Sequence, residues 1–291
     1  MKYINKFTAV LLLCFTLIGC TPQPTAQIAA TTAPVYEFTV RLCEGTPLTV
    51  TRLITEDVSC LHDYTLQTKQ MRAAENAEHI VISGAGLEIF IDDVQLDKDK
   101  IIDSSHGISL HYSDADEDHS QQDHHHTEDP HIWLSPVIAK DMCRNICLAL
   151  AAQHPEHKDI FNRNLAILIE DLDTLNCYGQ TQLSELTCRE LITFHDGFSY
   201  MAEAFDLSIV YAIEEESGSE ASAAELIDLI QVVEDHQLTA VFAETNGSTS
   251  AAQIISRETG AKIYTLDMCM SGNSYFDSMY KNIDTLKEAL G

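Results

Sequence analysis

Short apolar runs alternate with longer amphipathic segments through the second half of the chain. The runs ELITF, SIVYA, LTAVFA and KIYTL have the length and the β-branched content of buried strands. Segments with helical periodicity follow them, at residues 197–205, 221–236, 249–258 and 274–290. Strands that alternate with helices predict parallel βαβ units, so this half is expected to form an α/β sheet.

The same alternation is present, less regularly, in the first half. LTVTRLI and HIVIS are typical of strands, and residues 67–78 and 134–152 are typical of helices. We therefore expect two α/β lobes, one at residues 35–155 and one at residues 187–291.

Residues 156–186 interrupt the alternation, because they contain no proline and no strand-like run. Their apolar residues recur at intervals of four and three, which predicts one stripe along a long helix: Phe161, Leu165, Leu168, Leu172 and Leu175. A helix of about 30 residues exceeds the usual globular length, so it is expected to link the two lobes. The alternative is a pair of shorter helices broken near Gly179.

The N-terminus has the features of an export signal. Residues 1–19 combine two lysines with an apolar run too short for a stable membrane span. The sequence LIGC resembles a bacterial lipobox, which predicts that Cys20 is lipidated and that residues 20–34 form a tether. The protein is then expected on the outer face of the cytoplasmic membrane, or in the periplasm. The alternative is an ordinary cleaved signal with an incidental cysteine.

The charge favours cations as ligands. The chain has 17 basic and 45 acidic residues and a formal net charge of −28. Nucleic acids are held by clustered lysine and arginine, so a nucleic-acid partner is not expected. The acidity is also compatible with a role in solubility alone.

Seven cysteines remain beyond Cys14 and Cys20, and an odd number cannot all pair within one chain. No CxxC occurs, which argues against a structural zinc ribbon. No GxxxxGK[ST] occurs either, so ATP hydrolysis by this chain is not expected. The disulfide pattern stays open.

Metal-ligand residue types collect where the predicted strands end. His195 follows ELITF, Glu244 follows LTAVFA, and Asp267 follows KIYTL. In the first half, His62 lies beyond LTVTRLI, and His131 begins a turn into a helix. Ligands of open α/β sheets bind outside the carboxyl ends of the strands, so these side chains are expected to converge on a metal. Any one histidine alone is more often a hydrogen-bonded core or surface residue.

An acidic, histidine-rich segment precedes His131, at residues 106–130. It predicts a flexible loop that collects metal weakly and multivalently, through His119, His124, His125 and His126. The alternative is a solvated insert with no role in metal binding.

Five sequence blocks together resemble the metal-binding proteins of zinc and manganese ABC importers. They cover the body of the chain in order: CLHDYTLQTKQMRAAENAEHIVISGAGLEIFIDD, EDPHIWLSP, ITFHDGFSYMAEAFDL, GSEASAAEL and VFAETNGSTSAAQIISRETGAKIYTLD. The resemblance implies two Rossmann-like α/β lobes joined by one long rigid helix, with the metal in the cleft between them. It implies a monomer that works with a membrane permease and its ATPase.

Carried over residue by residue, the resemblance implies the ligands His62, His131, His195 and Asp267, with Glu244 nearby. Three imidazoles and one carboxylate suit Zn²⁺, whereas Mn²⁺ prefers sites richer in oxygen. Manganese-type members have a carboxylate where this chain has His195, so Zn²⁺ is expected and Mn²⁺ is the less favoured alternative.

Two other functions compete with zinc delivery. A metal buffer or adhesin without a transporter would share every sequence feature. A secreted zinc hydrolase could use Glu244 as general base, but catalytic zinc keeps an open position that four ligands would close. HExxH is also absent, so an enzyme is not expected.

Overall fold

The computed structural model describes residues 27–58, 61, 64–91, 96–111, 128–212, 221–270, 272 and 274–291. Its first lobe contains a four-stranded parallel sheet with the strand order β2-β1-β3-β4. The strands are β1 (Ile28–Ala30), β2 (Val50–Arg52), β3 (His79–Ile82) and β4 (Ile101–Asp103). The helices are α1 (Ala33–Cys43), α2 (Thr68–Asn76) and α3 (Pro136–Gln153).

The predicted tether is wrong from residue 28 onward. Ile28, Ala29 and Ala30 are 0% exposed and form β1, which lies between β2 and β3. Pro34 stands in the first turn of α1, where its missing N–H costs no helical hydrogen bond. Residues 28–34 are therefore part of the lobe. The predicted signal peptide and Cys20 lie outside the described residues.

The segment between the lobes is one helix, α4 (Lys158–Gln182), preceded by a single 3₁₀ turn at Pro155–His157. It runs through Gly179 without a break, so the alternative of two shorter helices is wrong. At 1.5 Å per residue its 25 residues span about 38 Å. The predicted apolar stripe faces inward: Phe161, Leu168, Leu172 and Leu175 are buried, and Leu165 is half-buried.

The second lobe contains a parallel sheet with the strand order β6-β5-β7-β8. Its strands are β5 (Glu190–Thr193), β6 (Ser208–Ala212), β7 (Ala240–Glu244) and β8 (Lys262–Leu266). Its helices are α5 (Ser199–Ala204), α6 (Ala223–Asp235), α7 (Ser250–Thr259) and α8 (Tyr275–Leu290). Two parallel sheets and one linking helix confirm the predicted fold class.

Local sequence sets the ends of these helices. Ser222 and Glu225 form a capping box at the start of α6, with bonds of 3.2 and 2.6 Å. Gly260 ends α7 in the left-handed conformation, with φ of 79°, which glycine adopts without strain. Ser135 caps α3, and Pro136 occupies its first turn.

The two lobes share a buried apolar core. Trp133 of the first lobe and Tyr275 of the second are both 0% exposed. The Tyr275 hydroxyl donates to the Trp133 carbonyl oxygen at 2.8 Å, and the Trp133 indole N–H donates to the Met268 carbonyl oxygen at 2.8 Å. On the surface, Arg52 donates to the Gly272 carbonyl oxygen at 2.7 Å. Buried contacts and hydrogen bonds thus hold the lobes in one arrangement.

The six described cysteines form no disulfide with one another: Cys43, Cys143, Cys147, Cys177, Cys188 and Cys269. Cys60 lies outside the described residues. Within the described ranges, no helix combines the length and the hydrophobicity that crossing a membrane requires.

Candidate metal site

His131 lies at the start of a 3₁₀ turn, Ile132–Leu134, directly after Pro130. Its side chain is 1% exposed, and its ring meets the Trp133 indole edge to face at a centroid distance of 5.4 Å. The tryptophan therefore fixes the position of the histidine that precedes it by two residues.

Asp129 contacts the edge of the His131 ring that carries Nδ1. Its Oδ1 lies 2.8 Å from Nδ1 of His131 and accepts the His131 backbone N–H at 2.9 Å. Burial alone would raise the pKa of Asp129, but the hydrogen bonds from His131 and from the Ser199 hydroxyl hold that pKa below its usual value. An ionised carboxylate can only accept, so Nδ1 of His131 donates in this contact, and Nε2 of the neutral ring carries the lone pair.

His195 supplies the second imidazole, from the turn that follows β5. Its Nε2 lies 3.5 Å from Nε2 of His131, and the two rings are nearly perpendicular, at 85°. Two nitrogen ligands of a tetrahedral zinc ion, each 2.0–2.1 Å from the metal, lie about 3.3 Å apart. The described pair fits that separation, and it joins one residue from each lobe.

Glu244 ends β7 and approaches His195 from the other side. Its Oε2 lies 3.9 Å from Nδ1 of His195, and its side chain is 5% exposed. The carboxylate is therefore nearer to the back of the imidazole than to the edge that faces His131. In this position it can orient and polarise a ligating histidine, as carboxylates behind metal-bound imidazoles do.

Asp267 follows β8 and is held within its own loop. Oδ1 accepts the Cys269 backbone N–H at 2.7 Å, and Oδ2 accepts the Ser278 hydroxyl at 3.1 Å. The buried Asn282 bonds both backbone groups of Asp267, accepting from its N–H at 2.8 Å and donating to its carbonyl oxygen at 2.7 Å. Asn282 thus determines where the loop places this carboxylate.

Gly197 lets the two histidines approach each other. A Cβ at this position would lie 2.7 Å from Cδ2 of His195, 2.7 Å from Cε of Met268 and 2.9 Å from Nδ1 of His131. All three distances are shorter than normal carbon contacts, so any larger residue would displace the site.

The structure brings together two of the four expected ligands, His131 and His195. His62 lies outside the described residues, as do His119, His124, His125 and His126 of the loop. Among the residues that are described, no three histidine, cysteine, aspartate or glutamate side chains form a group that could hold a metal ion. The full set of four therefore stays a prediction.

Sequence reasoning missed the residues that hold the expected ligands or their neighbours through hydrogen bonds: Asp129, Ser199 and Asn282. The spacing of Asp129 and His131 in EDPH was a usable signal, because a carboxylate two residues from a histidine can reach its ring. Ser199 and Asn282 carry no such signal, since their partners are 70 and 15 residues away.

Comparison with known proteins shows which family the chain belongs to. The sequence model of the family described as zinc-uptake complex component A periplasmic, ZnuA, matches residues 28–289. The chain belongs to the ZnuA family. The resemblance predicted from the sequence blocks is therefore confirmed, and the matched family is of the zinc type.

Two relatives and one solved structure are similar over most of this chain. The zinc-binding lipoprotein AdcA of Streptococcus pneumoniae R6 is 30% identical over 99% of this chain and 61% of its own length. The high-affinity zinc uptake system protein ZnuA of Bacillus subtilis 168 is 27% identical over 91% of this chain and 87% of its own length. The crystal structure of the Zn(II)-bound ZnuA-like domain of S. pneumoniae AdcA is 29% identical, with a TM-score of 0.75, over 90% of this chain and 98% of that domain.

The chain thus spans about three fifths of the length of AdcA. The names of these relatives refer to zinc binding and zinc uptake, and neither name refers to catalysis.

Proposed function

We propose that this chain captures Zn²⁺ outside the cytoplasm and delivers it to the membrane permease of an ABC importer, whose ATPase drives uptake. The observation that carries the proposal is the pair of imidazoles from different lobes with their Nε2 atoms 3.5 Å apart. Membership in a zinc-uptake family supports the same cargo. Catalysis is not part of the proposal.

We assign His131, His195, His62 and Asp267 as the zinc ligands. Asp267 already accepts hydrogen bonds from Cys269 and Ser278. Each carboxylate oxygen has a further lone pair, so Asp267 can keep these bonds and still bind the metal. Glu244 then supports His195 from behind, at Nδ1.

A nitrogen-rich shell favours Zn²⁺ over Mn²⁺, which prefers oxygen donors. Because buried contacts already join the two lobes, Zn²⁺ enters a cleft that is largely formed before binding. Only side chains at the entrance of the cleft change conformation. A preformed site loses less conformational entropy on binding, which favours high affinity. The protein acts as a monomer, anchored through Cys20 to the outer face of the cytoplasmic membrane.

The histidines of residues 106–130 form an auxiliary surface that raises the local zinc concentration near the cleft. Deleting residues 113–128 should lower the number of weakly bound zinc ions and spare the tight one. Loss of the tight ion instead would place the loop within the main site.

The decisive experiment is a competitive titration of the lipid-free protein with Zn²⁺ and Mn²⁺. The parent protein should bind one Zn²⁺ tightly, and His195→Ala should lose that site. His236→Ala is the matched control, because His236 is a half-exposed histidine of the same lobe that pairs with Glu190 at 2.9 Å. Equal zinc affinity in all three proteins would refute the site, and a preference for Mn²⁺ would refute the cargo.

Delivery is tested in cells. Removal of the chain should lower zinc uptake at limiting external zinc, and the parent sequence should restore uptake where His195→Ala does not. Normal uptake without the chain would favour a surface buffer or adhesin.

A further inference from the structure

Asp129 contacts His131 at two points, through the ring Nδ1 and through the backbone N–H. The two bonds come from one carboxylate oxygen, Oδ1, so the ring is held relative to its own backbone. Rotation of the imidazole by 180° would turn a carbon toward Oδ1 and lose the ring hydrogen bond.

The second lobe holds Asp129 in turn. The Ser199 hydroxyl donates a short hydrogen bond to Oδ2, and the Tyr200 hydroxyl donates to the Asp129 carbonyl oxygen at 3.0 Å. Burial raises the pKa of Tyr200 to about 12, so this hydroxyl keeps its hydrogen at neutral pH. Asp129 is 5% exposed, and these bonds therefore form away from competing water.

We propose that Asp129 is the positioning residue of the metal site: Ser199 and Tyr200 of the second lobe fix Asp129, and Asp129 fixes His131 of the first lobe with Nε2 directed at His195. The proposal rests on the proposed function, since it assigns how that site is preorganised before the cargo arrives. It makes the geometry of a ligand in one lobe depend on hydroxyl groups of the other.

The same residue closes the base of the histidine-rich loop. The Asp129 N–H donates to the His111 carbonyl oxygen at 2.9 Å, and the His111 N–H donates to the Tyr200 hydroxyl at 2.9 Å. The His111 ring stacks on the Tyr200 ring with a centroid distance of 4.2 Å. The described ends of this segment, at His111 and Asp129, thus both contact Tyr200, which belongs to the group that holds His131.

The test compares Asp129→Asn with Asp141→Asn. Both remove one negative charge, but Asp141 is an exposed residue of α3 that pairs with Arg144. Loss of a carboxylate behind a ligating histidine typically weakens metal binding by about 10- to 100-fold. We expect that loss in zinc affinity for Asp129→Asn, a smaller loss for Ser199→Ala, and parental affinity for Asp141→Asn.

A second readout is the tautomer of His131 in the metal-free protein, followed by long-range ¹H–¹⁵N correlation spectra and assigned with His131→Gln. The parent should carry the hydrogen on Nδ1, and Asp129→Asn should shift population to the Nε2–H form. A purely structural role would lower thermal stability without changing the tautomer. If Asp129→Asn does not fold, Ser199→Ala, which removes only one hydroxyl, gives the same two readouts.

The inference is overturned if Asp129→Asn matches the parent in both the His131 tautomer and the zinc affinity. Where Asp129→Asn does not fold, the same result for Ser199→Ala overturns it. It is also overturned if the parent carries the hydrogen on Nε2. A parent that binds no zinc would refute the proposed function, while the tautomer in the metal-free protein would still decide the role of Asp129.

Discussion

The indole N–H of Trp133 donates to the carbonyl oxygen of Met268 at 2.8 Å, in a fully buried environment. Trp133 lies two residues after His131, and Met268 directly follows Asp267. One hydrogen bond therefore joins the segment that carries an expected ligand in the first lobe to the segment that carries another expected ligand in the second.

Trp133→Phe should weaken both stability and zinc binding. It leaves the Met268 carbonyl oxygen buried without its donor, which costs about 1–3 kcal/mol of unfolding free energy. Zinc affinity should fall by about tenfold, because His131 and Asp267 lose their link. Urea unfolding and competitive zinc titration measure the two effects.

Tyr178→Phe is the control for this change, because it removes a hydrogen bond to Asp284 on the exposed surface between α4 and α8. It should leave zinc affinity unchanged. A Trp133→Phe protein that loses stability but binds zinc as tightly as the parent would show that this bond does not position the ligands.

Gly197→Ala should damage the site directly, because the added Cβ would lie 2.9 Å or less from atoms of His131, His195 and Met268. Overpacking of this kind costs about 1–3 kcal/mol of stability. Ligand positions must hold within about 0.5 Å, so zinc affinity should fall by at least about tenfold.

Gly260→Ala is the matched control for Gly197→Ala. Its φ of 79° makes alanine strained, but a Cβ there meets nothing within 4 Å. It should lose stability and keep zinc affinity. Equal zinc affinity in the two variants would contradict the crowding argument.

A pH effect is expected at the opposite end of the first sheet, where His79 begins β3. Burial lowers the pKa of His79, the neighbouring His154 and Lys100 lower it further, and Glu78 opposes them. The ring of His154 meets that of His79 edge to face at 5.3 Å. The folded state therefore favours the neutral imidazole more than the unfolded state does.

A histidine whose pKa is lower in the folded state than in the unfolded state favours folding when the pH is above the unfolded pKa, near 6.5. This contribution to stability is lost as the pH falls through the folded pKa. We expect the parent to lose stability relative to His79→Phe between about pH 7 and pH 5. Urea unfolding at both pH values, with a chelator present, measures this difference. A difference in unfolding free energy between the two proteins that is the same at both pH values would contradict a lowered pKa for His79.

The fold was largely predictable because its main elements have long, regular patterns. SIVYA and KIYTL coincide with β6 and β8, and the stripe of the linking helix is the buried face of α4. β1 was missed because three apolar residues beside threonines and a proline are too few to show a period. Only its position between β2 and β3 makes it a buried strand.

The positions of His195, Glu244 and Asp267 at the strand ends on one edge of a sheet were predictable from the sequence. Which atoms of these side chains face one another was not predictable from the sequence. Glu244 meets His195 at Nδ1 because β7 lies beside β5 in the second sheet, and Ser199 reaches Asp129 because of how the two lobes pack against each other. Such distances depend on tertiary packing and leave no periodic trace in the sequence.

Thiol reactivity tests the arrangement of the cysteines. Burial raises the pKa of Cys43 to about 12, and it raises the pKa of Cys143 and Cys269 well above the usual range. At pH 8 a thiol with a pKa near 12 is ionised to about one part in ten thousand, and the thiolate is the reactive form. Cys177 is exposed on α4.

Among the described cysteines, iodoacetamide at pH 8 should therefore modify Cys177 first in the folded, unreduced protein. Cys43, Cys143 and Cys269 should react only after unfolding in urea, as peptide mass spectrometry can show. Cys177→Ser should remove the early modification and leave the later ones. A disulfide would block alkylation even in urea. If two of these cysteines stayed unmodified in urea until a reductant was added, the result would contradict the free thiols of the structure.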